Sequence, residues 1–281
     1  TRSVDRYRLM ASLFRETVSH GILIGAQSPA DAERFRAIGA APERVRVTGN
    51  VKFDLELPQS EVDAGRDFRR RSAPARPVWI AGSTHEGEEE AVLAAQAIVR
   101  ARHPSALLIL VPRHPQRFDA VRSLLRKRGH TYAQRSSGEL PVDAQEVFLV
   151  DTLGELQMFY AAADVAFVGG SLVPIGGHNL LEAAARGLPI LSGPHPHNAQ
   201  DIAELLAQAG VLRIVRSREE LGQRVADYFD DPARARQDGA RGQEVITQSR
   251  GAVAQLVEMV LPLINRQDAG KDASAAGSTA S

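Results

Sequence analysis

The sequence contains no cysteine. That excludes a disulfide scaffold, a Cys-ligated zinc site and a thiol nucleophile. It also lacks an excess of either charge. Its 34 Lys+Arg balance 34 Asp+Glu, whereas a general nucleic-acid binder usually carries a basic surplus. No apolar run reaches the roughly 18 residues of a membrane span, and no signal-peptide pattern opens the chain. The P-loop pattern GxxxxGK(S/T) is absent, no GxGxxG follows a strand, and GxSxG is absent, so Walker-type ATPase, standard dinucleotide and serine-hydrolase readings have no support. Lysine is scarce: only Lys52, Lys127 and Lys271 stand among the 34 basic residues. Thr1, not Met, stands first, so a fragment or processed product is expected.

What is present is an ordinary globular composition, with 43% apolar and 24% charged residues over 281 positions. That is enough for one large domain or two small ones. Short β-branched runs alternate with amphipathic stretches. Strands are expected at Ile22–Ile24, Val45–Thr48, Val78–Ala81, Leu107–Val111, Val147–Val150, Val165–Val168, Pro189–Leu191 and Val211–Val215. Most are continuously apolar, as in a parallel sheet buried on both faces. Helices are expected over Glu86–Arg102, Pro115–Lys127, Asn198–Ala209, Arg218–Phe229 and Gln243–Ile264. The alternation predicts an α/β fold with right-handed crossovers. Residues 1–50 are too few for a domain and read as the end of another α/β domain. Residues 51–77 read as an interdomain linker and 78–265 as the main domain with a terminal helix crossing back. The Ala/Gly/Ser-rich 266–281 reads as a disordered tail.

In an open parallel sheet, ligands bind beyond the carboxyl ends of the strands. Gly82, Ser83 and Thr84 follow one strand and precede a helix rich in early acids, so this stretch is either plain capping or an anion site. Pro112-Arg113-His114-Pro115 follows another. Its prolines stiffen the loop, and its arginine suits bidentate contact with phosphate or carboxylate. A solvated surface turn is the alternative. In Asp151-Thr152-Leu153-Gly154-Glu155, Thr152 and Glu155 have capping-box spacing. The richest loop is Gly169–Ala183, with two Gly pairs that let backbone approach a ligand. There Gly177, His178 and Asn179 open a helix and Glu182 sits about one turn inside it. A carboxylate at that point can accept hydrogen bonds from ribose hydroxyls. Gly177 and His178, with Gly82–Thr84, are candidate phosphate or donor contacts. His195-Pro196-His197 has a metal-like spacing without an acidic or thiolate partner, which favours loop structure over a metal site.

The strings AQSPADAERFRAIGA, VRVTGNVKFD, AGSTHEGEEE, LLILVPRHPQRF, VFLVDTLGEL and FVGGSLVPIGGHNLLEAAARGLPILSGPHPHN occur in this order over about Ser28 to Ile202. Together they resemble the 3-deoxy-D-manno-octulosonic acid (Kdo) transferases of lipopolysaccharide synthesis, which have the GT-B glycosyltransferase fold. The resemblance implies a Rossmann-like, parallel-sheet C-terminal domain plus the remnant end of an N-terminal Rossmann-like domain. It implies inverting, metal-independent transfer of Kdo from CMP-Kdo to a lipid A precursor, without a cofactor or nucleic acid. CMP would be held by Pro112 and Arg113, by Leu153, Gly154 and Glu155, and by Asn179, Leu180, Leu181 and Glu182. Lys52 matches a transition-state stabiliser, which suits a leaving phosphate whose charge grows as the glycosidic bond breaks. The family's general base, acceptor site and membrane-associating segment match nothing in this sequence. The chain is therefore expected to be the C-terminal two-thirds of such an enzyme, inactive alone, working at the cytoplasmic face of the bacterial inner membrane with membrane contact through the missing part. Alternatives are a UDP-sugar GT-B transferase, a UDP-GlcNAc 2-epimerase, or a non-catalytic sugar-nucleotide-binding module.

Overall fold

The computed structural model describes residues 23–276, with side chains described for 23–264. The chain divides into two compact units: Thr1–Leu55 with Thr247–Ser281, and Glu56–Ile246.

In the first unit, strand β1 (Ile24–Ala26) pairs in parallel with β2 (Val45–Val47), and helix α1 (Pro29–Ala37) lies between them in sequence. Ser28 starts α1 by accepting the Asp31 N–H at 3.1 Å, and Pro29 occupies the first turn, where its missing donor costs nothing. Ala26, Ala32, Ala40 and Val45 form a small core. A 3₁₀ turn follows at Val51–Phe53. The Asp54 carboxylate then accepts the N–H groups of Gly251 and Val253, each at 2.6 Å, and so caps the last helix, α10 (Ala252–Ala276). Those two bonds hold the Asp54 carboxyl below the usual carboxylate range. Leu256 and Met259 of α10 pack against Gly25. Another side of α10 exposes Val253, Val257, Val260, Leu261 and Ile264.

The second unit holds a seven-stranded sheet in the order β5-β6-β4-β3-β7-β8-β9, with every neighbouring pair parallel. Its strands are β3 (Val78–Thr84), β4 (Leu107–Pro112), β5 (Tyr132–Gln134), β6 (Val147–Leu149), β7 (Val165–Val168), β8 (Ile190–Ser192) and β9 (Leu212–Ile214). Its helices are α2 (Gln59–Ser72), α3 (Glu88–Arg102), α4 (Phe118–Lys127), α5 (Leu156–Tyr160), α6 (Leu181–Ala185), α7 (Gln200–Gln208), α8 (Arg218–Asp230) and most of α9 (Pro232–Ser249). Trp79, Ala81, Leu108, Leu110, Val147, Leu149, Val165 and Phe167 pack with apolar residues of α3, α4 and α8. On the opposite face Phe148 meets Phe68 of α2 and Phe159 of α5 at ring-centroid distances of 5.0 and 5.7 Å. Burial on both faces is why these strands read as apolar runs. Three helical glycines set close approaches: a Cβ on Gly65 would lie 2.2 Å from Met158 O, on Gly222 2.9 Å from Ala95 O, and on Gly239 1.8 Å from Gly187 O.

Several sequence expectations are corrected. The stretch 51–77 is not a linker: its first residues lie in the first unit, and α2 belongs to the second, anchored through Phe68. The expected single helix Gln243–Ile264 is two helices, broken at Gly251 (φ +106°). The boundary of the main domain falls accordingly at Ile246, not 265. Helix α10 continues through Ala276, into the stretch expected to be disordered, helped by the high helix propensity of alanine. Residues 277–281, and residues 1–22 of the expected remnant, lie outside the described residues.

Candidate functional site

The strand order reverses beside β3: the chain runs outward to β4 and the edge strand β5, comes back to place β6 between them, then crosses to β7 on the other side of β3. At such a switch point the loops beyond the carboxyl ends diverge and leave a crevice. The loops after β3, β4 and β7 meet there.

The loop after β3 is irregular. Pairing with β4 shifts between Gly82 and Thr84, and Ser83 adopts φ +56°, a left-handed conformation that costs a non-glycine residue about 1 kcal/mol or more. Gly82, Ser83 and Thr84, candidate donor contacts by sequence, are all buried. Gly82 makes room for Tyr160, whose hydroxyl would lie 2.6 Å from a Cβ. Thr84 O accepts the Arg113 N–H at 2.9 Å, which fixes where the Arg113 loop leaves β4. The Arg113 side chain is exposed.

Glu88, in the first turn of α3, is fully buried. Its carboxylate accepts four backbone N–H groups: His85 at 2.9 Å, Gly170 at 2.7 Å, and Ser171 and Leu172 at 2.9 Å each. The Gly-rich loop after β7 therefore forms an N–H nest, but a protein carboxylate fills it. The Gly176 and Gly177 N–H groups go to Gly170 O at 3.1 and 2.7 Å, and the His178 N–H to Gly169 O at 3.2 Å. The backbone donors of Gly177 and His178 are thus spent inside the loop, which leaves the His178 side chain as the group there that can meet a ligand. Gly176 and Gly177 have φ +115° and +77°, so their glycines serve the turn itself.

With both loops tied to Glu88, His85 and His178 face each other. Their rings meet end to end and nearly coplanar, with centroids 4.9 Å apart at 7° and Nε2 atoms 2.7 Å apart. His114 stands edge-on to His85 at 5.2 Å. Burial, then the neighbouring cations, push His178 down to about 4, and burial lowers His85 as well.

Asn179 orders the start of α6. Its Oδ1 accepts the Leu181 N–H at 3.1 Å and its Nδ2 donates to Glu182 Oε1 at 3.0 Å. The helix opens at Leu181, not at Gly177–Asn179, so Glu182 lies in its first turn and not one turn inside. Burial raises the Glu182 carboxyl, against the Asn179 bond and the charge of Arg113. Leu180 and Leu181 are buried core residues, so their side chains do not face a ligand.

The loop after β6 is built differently. Leu153 is exposed, and Gly154, at φ +83°, has open space around it. The Glu155 carboxylate is held by Arg135 from the turn after β5, with N···O distances of 2.7 to 3.1 Å, and accepts the Thr152 hydroxyl. The Arg135 bond holds the Glu155 carboxyl low. Thr152 does not cap the helix; Glu155 occupies the cap position of α5. What this loop offers a ligand is the backbone of Leu153–Glu155.

Lys52 lies in the first unit and is exposed, its N–H donating to Asn50 Oδ1 at 3.0 Å. The His195–His197 loop is held by its backbone, His195 N–H donating to Ser171 O at 3.1 Å. Among the described residues no group of three or more His, Cys, Asp or Glu has metal-holding geometry. Sequence reasoning did not single out His85, Glu88, His114 and Arg135. For the first three the signal was their place in strand-end loops; Arg135 had none.

A doubly wound parallel sheet whose glycine- and histidine-rich loops meet at its switch point has the architecture of one half of a GT-B glycosyltransferase fold. A solved structure of Anabaena Alr3699/HepE, in complex with UDP and glucose, shares this fold with TM-score 0.52 and 17% identity over 93% of this chain and 67% of that one. By sequence, the chain is similar to the 3-deoxy-D-manno-octulosonic acid transferases. The family model for these transferases matches residues 1–55. The Haemophilus influenzae transferase is 36% identical over 266 residues, 94% of this chain and 62% of that protein. The Bordetella pertussis transferase is 41% identical over 218 residues, 75% and 50% respectively. The chain thus spans about half to three-fifths of these relatives. The crystal structure of the C-terminal CMP-Kdo binding domain of WaaA from Acinetobacter baumannii matches with TM-score 0.64 and 29% identity, over 67% of this chain and 99% of that one.

Proposed function

We propose that this chain carries the CMP-Kdo-binding half of an enzyme that transfers Kdo to a lipid A precursor. The observation that carries the reading is the match to essentially the whole of a CMP-Kdo binding domain, together with a switch-point crevice that gathers Arg113, the histidine pair and Glu182. Arg113 contacts the phosphate, for which its planar fork is suited. Glu182, oriented by Asn179, accepts the ribose hydroxyls. The backbone of Leu153–Glu155, held by Arg135, meets the nucleoside. No metal is needed, because the Arg113 guanidinium and the Lys52 ammonium supply the positive charge.

In the reaction, a carboxylate base, contributed from outside residues 23–276, takes the proton of an acceptor hydroxyl. The resulting oxygen attacks the anomeric carbon from the face opposite the phosphate. The bond to phosphate breaks, CMP leaves with the electron pair, and the anomeric configuration inverts. Lys52 neutralises charge that appears on the departing phosphate, which helps most in the transition state. The acceptor's lipid character places the work at the cytoplasmic face of the inner membrane. The test is thermal unfolding of this chain with CMP, UDP or neither. Ligand at about 100 times its dissociation constant adds about 2.7 kcal/mol. CMP is expected to raise the melting temperature by several degrees, and UDP by much less. Equal or greater protection by UDP overturns the CMP reading in favour of a UDP-sugar enzyme.

A further inference from the structure

The imidazole pair at the switch point is more than loop packing. A neutral pair with Nε2 atoms 2.7 Å apart holds one hydrogen between them: one ring donates Nε2–H and the other accepts. Two ligands of one tetrahedral metal ion, each at 2.0–2.1 Å, would sit about 3.3 Å apart, so the spacing is that of a hydrogen bond. The groups around the pair are mostly cationic. Arg113 and His114 bear on both rings, from the loop after β4. Arg117 bears on His85 from the following turn and is tied to Glu86 and Glu89. The nearby acid, Glu88, is occupied by four backbone N–H groups. The crevice thus disfavours a proton on the pair, and its other carboxylate, Glu182, accepts from Asn179 at 3.0 Å and is not among the charges that bear on the two rings.

We propose that the His85–His178 pair receives the phosphate of the bound nucleotide and takes up one proton from solvent as it does so. This rests on the reading of the crevice as the CMP-Kdo site. The proton enters at Nδ1 of the ring that donates Nε2–H, so the bond between the rings survives and the pair becomes a single delocalised cation. The phosphate supplies the negative charge that offsets Arg113. The pair then adds positive charge at the leaving group, beside Arg113, without a permanently buried cation in the free protein.

The test is an NMR titration of the histidine side chains in the free chain, with saturating CMP, and with saturating cytidine, which lacks the phosphate. In the free protein His178 sits at about 4 and His85 below the ordinary histidine value. CMP is expected to move the pair's titration up by at least one pH unit, and cytidine is not. By linkage, wild-type CMP affinity relative to His178→Asn should improve about tenfold for each unit of upward shift as the pH falls through the bound value. Taking the ratio cancels the titration of CMP's own phosphate. An unshifted pair in a protein that binds CMP, or an equal shift with cytidine, overturns the inference and leaves the nucleotide reading standing. Failure to bind CMP overturns that reading itself.

Discussion

The two edges of the seven-stranded sheet are built on opposite terms. At the amino edge, polar groups are consumed by the fold. Arg76 is buried and donates to Ser105 O, Val142 O and Gln145 O at 2.7, 3.0 and 2.6 Å. Arg69 donates to Ala162 O, Arg76 O and Asp164, and Asp164 in turn accepts the Val78 N–H. At the carboxyl edge, Ser83 sits in a left-handed conformation, Thr84 Oγ1 is buried without a hydrogen-bond partner among the described residues, and two histidines are held neutral beside an arginine. The first edge spends its polar groups to close loops. The second ties its loops down with Glu88 and Arg135 but leaves Thr84, the histidine pair and Arg113 for a ligand to meet.

The contrast breaks most visibly at Arg76. Arg76→Ala should destabilise the chain by about 3–4 kcal/mol, since three buried carbonyls lose a charged donor, with little change in CMP affinity per folded molecule; chemical denaturation and calorimetry check both. Glu88→Gln comes next. Its amide presents a donor to N–H groups, so stability should fall by about 2–3 kcal/mol and CMP affinity should fall as well, because both crevice loops lose their anchor. Arg113→Ala should do the reverse of Arg76→Ala: about 10- to 100-fold weaker CMP binding, with a melting temperature within a degree or two of the wild type. Arg135→Ala should weaken CMP binding several-fold by releasing the loop that Glu155 holds, and Arg135→Lys should restore part of it; no change in affinity removes that loop from the site.

The smallest effect is in pH dependence, and it has opposite signs at the two edges. Burial raises Glu182 and Glu89. The folded state then binds more protons than the unfolded one, so stability falls as pH rises from the unfolded value near 4.5 to the raised folded value. Burial also acts to raise Glu146, but its bonds to Arg100 and His130 outweigh that and lower it. Its contribution is present above the unfolded value and is lost as pH falls through the folded value. Glu182→Gln should flatten stability above pH 4.5, and Glu146→Gln should flatten it below; identical profiles for both variants would erase the distinction.

Much of the sheet was legible because burial on both faces forces continuous apolar runs, as in Leu107–Val111 and Val165–Val168. Strand β5 was not, since the three residues Tyr132, Ala133 and Gln134 at a sheet edge carry too little pattern. Helix α2 was hidden among arginines, because few of its residues face the core. The strand-end loops announced where a site lies, through Pro112-Arg113 and Gly176–Glu182. They did not announce how it is held. Three of the four partners of Glu88 lie 82 to 84 positions away, and Arg135 is 20 from Glu155. Only the fold brings them together.

The close helix crossings at Gly65, Gly222 and Gly239 carry a warning for protein engineering. On an isolated helix, replacing glycine by alanine gains about 1 kcal/mol, and a propensity-guided redesign would choose all three positions. Here each new methyl group would press into a backbone carbonyl of the neighbouring segment, and the overpacking would cost more than the propensity returns. Thermostabilising this chain means leaving its weakest helix formers in place.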